Sequence, residues 1–400
     1  MDKKNKNSNV PNLRFSNPYK LRKVRLGDIC TITGGYAFDS HKMKQQGEYQ
    51  IIKMGNLYNG IFDLSRNQSF INAPTKKELE YLIQKNDILI TLTGTTNKKD
   101  YGYTVQIEKP KKLLLNQRCA LIRASKVNEK YLFYLLNSND FLKQFYASST
   151  GGTGNQTNVS INDMLDFKVY ISNENDQLKI SNILNALDKK ISTQIKIIDD
   201  LILQKKYIIY SLLEAIQDNE KIMLKDLLFD YNVKTTINNE YPVLSSTASG
   251  MYLQTEYFNK EAASDNTTGY KIIPRGYCTY RSMSDTGLFT FNIQNLVEKG
   301  IVSPAYPVFS ANNYSNEFII LYLNNASYIK KQILELKSGG TRFALPFSTL
   351  GTLKIPKLEK EKQLSFIKTI TAFERKIKNE EKILNDLHKQ KNYLLNNMFI

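Results

Sequence analysis

Lys196–Tyr207 reads KIIDDLILQKKY and Lys382–Tyr393 reads KILNDLHKQKNY, with seven of twelve positions identical across an offset of 186 residues. The offset holds without a gap well beyond this stretch. Gln177-Leu178 falls on Gln363-Leu364, Ala186 on Ala372, Lys190-Ile191 on Lys376-Ile377, and Gly154, ahead of the first copy, on Gly340. Apolar residues of the first copy run Leu184, Leu187, Ile191, Ile198, Leu201 and Ile208, and those of the second run Ile370, Phe373, Ile377, Leu384, Leu387 and Leu394. Three-and-four spacing of this kind is the seam of paired helices. Gln194 and Lys205 interrupt the first seam, and Glu380 and Lys391 interrupt the second at equivalent steps. Polar seam residues lower stability but fix register, so they read as alignment devices; the other reading is a loosely packed edge from which the lysines snorkel. Neither helix can bury its seam alone, and the simplest arrangement buries each against the other.

A weaker echo precedes each helix. VRLGDI (24–29) is matched by IMLKDLL (222–228), and LIQKNDILITLTG (82–94) by KIIPRGYCTYRSM (271–283). The residues between are unlike. Short β-prone runs occur at 49–54, 87–93, 119–124, 277–281 and 317–323, with short helices expected at 129–137 and 326–336. The spacing predicts an α+β fold with an internal pseudo-two-fold repeat. Its order is a basic, flexible segment (1–20), a globular head (21–173), a spacer helix (174–217), a second head (218–356) and a second spacer helix (357–400).

At 400 residues the chain exceeds one ordinary core, in keeping with several domains. The net charge of +17 favours a polyanionic partner, nucleic acid being the commonest. The surplus is uneven. Lys and Arg outnumber Asp and Glu nineteen to thirteen in 24–173 but only thirteen to twelve in 218–356, so the second head has to rely on a few placed cations. The three cysteines lack disulfide or zinc spacing and suit a reducing cytoplasm. The N-terminal residues have no apolar core of signal-peptide length, and no apolar run is long enough to span a membrane.

Two unlike heads alternating with two like helices resemble the specificity subunit of bacterial type I restriction–modification systems. The phrases RLGDICTITGG, NDILITLTGTT, LLNQRCALIRAS and GGTRFALPFSTLGTLKIPKLEKEKQLSFI carry the resemblance, which covers about Lys20 to Ile400. The first copy departs from the last phrase, since NVSINDMLDFKVYISNENDQLKI lacks its proline. The resemblance implies two target recognition domains, each reading half of a bipartite, gapped target in double-stranded DNA. It implies antiparallel coiled-coil helices that set the gap, two docked methyltransferase subunits and further motor-nuclease subunits. S-adenosylmethionine, ATP and Mg²⁺ would belong to those partners, leaving this chain without a cofactor, a membrane or catalysis of its own.

The residues agree with that expectation. No phosphate loop, dinucleotide fingerprint or base-methylation tetrad occurs, and neither His41 nor His388 has a neighbour at metal-ligand spacing. Hydroxyl, amide and cationic side chains on loops are the groups that read base edges and phosphates. In the first head these are Lys53, Asn56 and Tyr58; Thr93, Thr95, Thr96, Asn97, Lys98, Lys99 and Tyr101; Gln117 and Arg118; and Gly152 and Asn155 in a Gly-rich loop. In the second they are Ser245 and Ser246; Tyr280, Arg281, Ser282 and Ser284; and Lys337, Thr341 and Arg342. The competing reading is a coiled-coil scaffold whose heads bind two protein clients.

Overall fold

The computed structural model describes residues 13–15, 21–151, 155–257, 266–336 and 343–399. The long helices form as their periodicity predicts, at Glu174–Glu214 and Lys360–Met398. The chain condenses into two units whose boundaries fall within these helices: 1–195 with 382–400, and 196–381. Each unit therefore holds one head and part of both helices.

In the first unit, a four-stranded antiparallel sheet is ordered Cys30–Gly34, Cys119–Ala124, Ile88–Thr91, Thr104–Gln106. Helices Glu129–Leu135 and Asn139–Ala147 cover it, and Asn128 and Ser138 cap their first turns. Each such cap contributes about 1 kcal/mol. The buried helix faces deliver Tyr131, Leu132, Phe141 and Phe145 to the same core as Ile180 and Leu184 of the first long helix, Leu395 and Met398 of the second, and Phe399 just past its end. A fully buried side chain of this size contributes about 2 kcal/mol. A smaller sheet of Phe70–Ile71, Tyr49–Ile52 and Leu113–Leu115 extends the head. Residues Leu13–Phe15, within the segment expected to be flexible, dock here: the Leu13 amide donates to the Asn397 carbonyl at 2.9 Å, and Lys179 sits over the Phe15 ring.

The second unit repeats the sheet order with Leu228–Asp230, Val308–Ala311, Cys278–Tyr280 and Phe291–Ile293. The two heads thus share a frame, and the echo between 82–94 and 271–283 falls on its matching strands Ile88–Thr91 and Cys278–Tyr280. The stretch 317–323, expected as a strand, lies inside the helix Asn316–Asn325. Ser315 caps that helix, and Phe318, Ile319, Tyr322 and Leu323 are buried at helical spacing. An apolar run this short does not reveal its period, and the cap decides it.

Three devices recur at equivalent places and tie head to helix. A two-stranded clamp closes each head: Arg22–Arg25 on Lys168–Ile171, and Lys221–Met223 on Lys354–Pro356, so the missing proline of the first copy changes nothing in the layout. A buried glutamine near the start of each long helix is held at both ends. Gln177 accepts from the Asn128 amide and donates to the Ser172 carbonyl, while Gln363 accepts from the Ser315 amide and donates to the Leu358 carbonyl. A second pair, Gln144 and Gln332, bridges the head's second helix to the backbone of Lys168 and Lys354 in the same two-handed way.

The helices run antiparallel within each unit. Lys391 pairs with Asp188 at 2.6 Å in the first unit, and Lys205 with Glu374 at 3.3 Å in the second. These pairs are images of one another under the 186-residue offset. Leu184, Leu187, Ile191, Ile198, Leu201, Ile370 and Ile377 are buried, and Ile208, Phe373, Leu384, Leu387 and Leu394 are half-buried. Near the heads, burial moves one position along, to Ile209, Leu213 and Leu395, where the covering face is no longer only the other helix.

Candidate nucleic-acid interface

In the first head the two loops singled out from sequence meet. Thr93–Thr95 pairs with Gln156–Asn158, which pairs with Thr150–Gly151, and the Thr96 amide donates to the Asn155 carbonyl. Asp100 closes the turn by accepting from the Thr95 amide and hydroxyl, each at 2.7 Å. These bonds hold its carboxyl below the ordinary carboxylate range, the Thr95 hydroxyl bond contributing most. The turn is therefore set while Asp100 is ionised and loosens only as pH falls through that lowered value. Asn97, at φ 64°, crowns it, with Lys98 and Lys99 exposed beside it. Lys99 lies 5.3 Å from the Tyr146 ring centre. Gly94 is required where it is, because a Cβ there would stand 2.3 Å from the Tyr101 ring.

Other candidates in this head divide by exposure. Gln117, Arg118 and Asn155 are exposed. Tyr58 is exposed, packed edge-on against Tyr103 and under Arg66 at 5.6 Å. Asn56 is fully buried, its amide donating to the Asp63 and Arg66 carbonyls, and Tyr101 is buried against Phe145 and Tyr146. Lys53 is half-buried and donates to the Ser69 hydroxyl. Asn56 and Tyr101 hold the loops from within, while the exposed set faces outward. Arg66, which the sequence reading did not select, lies over the Tyr58 ring, and Tyr103, the last residue of the loop singled out from Thr91, packs against that ring.

In the second head, segments from three parts of the chain enclose a groove of about 480 Å³. Ser245, Ser246, Arg281 and Ser284 line it, joined by Met283 and by Leu288, one residue past the loop selected from sequence. Arg281 is exposed on a rigid base. Before it, Tyr280 is fully buried with its hydroxyl donating to the Leu345 carbonyl at 2.8 Å; after it, the Ser282 hydroxyl donates to the Ala305 carbonyl. Tyr280 and Ser282 thus support the groove rather than line it. Ser246 accepts from the Asn292 amide at 2.8 Å. Gly152, Lys337, Thr341 and Arg342 lie outside the described residues.

Reactive groups are placed elsewhere. All three cysteines are buried free thiols, and burial pushes Cys30 and Cys119 up to about 12, leaving them protonated and inert. Among the described residues no group of three His, Cys, Asp or Glu side chains could hold a metal ion, and no helix is long and apolar enough to cross a membrane.

Each unit thus carries polar loops on the same four-stranded frame. Residues 18–201 match the family model of the type I restriction modification DNA specificity domain. In fold, the chain is similar to the S subunit of a type I restriction–modification system from M. genitalium, with 17% identity and a TM-score of 0.56 over 98% of this chain and 99% of that one. It is also similar to a chain from a structure describing complex assembly and conformational transition of the type I R-M system, with 13% identity and a TM-score of 0.55 over 94% and 96% of the two chains. Comparison with curated proteins finds no match. The family model thus spans the first head and part of the first long helix, and the likeness to the two solved structures is one of fold.

Proposed function

We propose that each head reads one half of a bipartite, gapped sequence in duplex DNA, and that the long helices set the gap and seat methyltransferase subunits. The observation that carries this reading is the shared four-stranded frame under loops that differ in every detail, the arrangement expected of one scaffold presenting two different contents. The first head, with its cationic turn at Asn97–Lys99, suits phosphate contact, and the grooved second head suits base edges read through Arg281. S-adenosylmethionine, ATP and Mg²⁺ act on the partner subunits, two for methylation and others for translocation and cleavage, in the bacterial cytoplasm. A gel-shift with the purified methyltransferase partner tests the reading. It is expected to show preference for a gapped bipartite duplex; equal affinity for all duplexes at moderate salt would end it.

A further inference from the structure

In the first unit, the corner between the head and the long helices is closed by Tyr134. Its ring is 1% exposed, and its hydroxyl donates to Asp188 at 2.8 Å, the same carboxylate that pairs with Lys391. The second unit has the equivalent ion pair, Glu374 with Lys205. It lacks the tyrosine. Tyr134 lies six residues past its helix cap Asn128, and the residue six past the corresponding cap Ser315 is Leu321. Where the tyrosine would be, a groove of about 440 Å³ opens, lined by Leu321, Ile320, Asn324, Ile370, Lys205 and Glu374 among others. The Glu374 side chain is 56% exposed, against 30% for Asp188. The groove shares no lining residue with the one around Arg281.

An apolar floor ending at a carboxylate is the chemistry that holds a phenol, and the first unit shows that chemistry satisfied from within. We propose that the Leu321 groove is a docking site for a tyrosine side chain of a separate polypeptide, which fills the place that Tyr134 fills in the first unit. Burial of the ring against Leu321, Ile320 and Ile370 supplies the apolar contact. A hydroxyl bond to the Glu374 carboxylate supplies selectivity over phenylalanine. The groove is larger than one side chain, leaving room for the main chain that carries it, and the Lys205, Lys206 and Glu317 side chains at its margin offer polar partners for that chain. The inference stands apart from the DNA reading.

The test titrates the full chain with N-acetyl-L-tyrosinamide, N-acetyl-L-phenylalaninamide and p-cresol, followed by saturation-transfer NMR. The tyrosine amide is expected to bind about tenfold more tightly than the phenylalanine amide, as a hydrogen bond to a charged group allows, and more tightly than p-cresol. Glu374→Ala should abolish the preference over phenylalanine. Leu321→Tyr, which fills the groove from inside, should abolish binding while retaining or raising the melting temperature. Equal binding of the two amides, or a folded L321Y that binds like the parent chain, overturns the proposal. Binding of p-cresol as tight as the tyrosine amide overturns the polypeptide source. Should L321Y fail to fold, the Glu374→Ala comparison decides alone.

Discussion

Lys98 and Arg281 are both exposed cations on loops, yet under the proposed DNA reading their surroundings suit different tasks. Lys98 stands exposed on a turn held by Asp100 in the more basic head. Removing it should weaken binding to all sequences alike and reduce the salt slope of binding by roughly one unit, the amount released with one phosphate contact. Arg281 projects into a groove from a backbone fixed on both sides. Arg281→Ala should cost about 1–3 kcal/mol on the preferred duplex and relax the preference at one position, leaving the salt slope nearly unchanged. Titrations at several salt concentrations against matched and single-mismatch duplexes separate the two outcomes. A uniform loss from Arg281→Ala would contradict its assignment.

Among elements, the long helices were fully legible because a seam is a local, periodic signal that needs no knowledge of the rest of the chain. The strand misassigned at 317–323 shows the limit of such reading, since seven residues span barely two helical turns and the deciding group is the Ser315 cap. The groove was only half legible: its serines and Arg281 stand out as loop chemistry, but that the segment of Ser245 and Ser246 meets the segment of Arg281 is set by the fold. The seam lysines allow a direct test. Reversing one charge, as in Lys205→Glu, places two carboxylates together and should destabilise the second unit by about 1 kcal/mol. Combining it with Glu374→Lys should recover most of that loss in urea denaturation, because the pair couples only through its own contact. Additive losses in the double variant would show that the pair does not fix register.

For the whole molecule, duplication supplies two sites with one set of supports. If the helices set the gap, a heptad inserted at matching levels of both should lengthen the preferred spacing by about 10 Å, or about three base pairs, with the half-sites unchanged. Selection from a randomised-gap duplex library would read this out, and altered half-sites at an unaltered gap would contradict it. The two-stranded clamps that close the heads are joined through main-chain amides and carbonyls, and Val169, Ile171 and Ile355 on them are buried in the cores, where another apolar residue of similar size would serve. Gln177 and Gln363, by contrast, have no substitute that both donates and accepts at that reach. Under random mutation, then, these two positions should stand as narrow intolerant columns, one in each half of the chain.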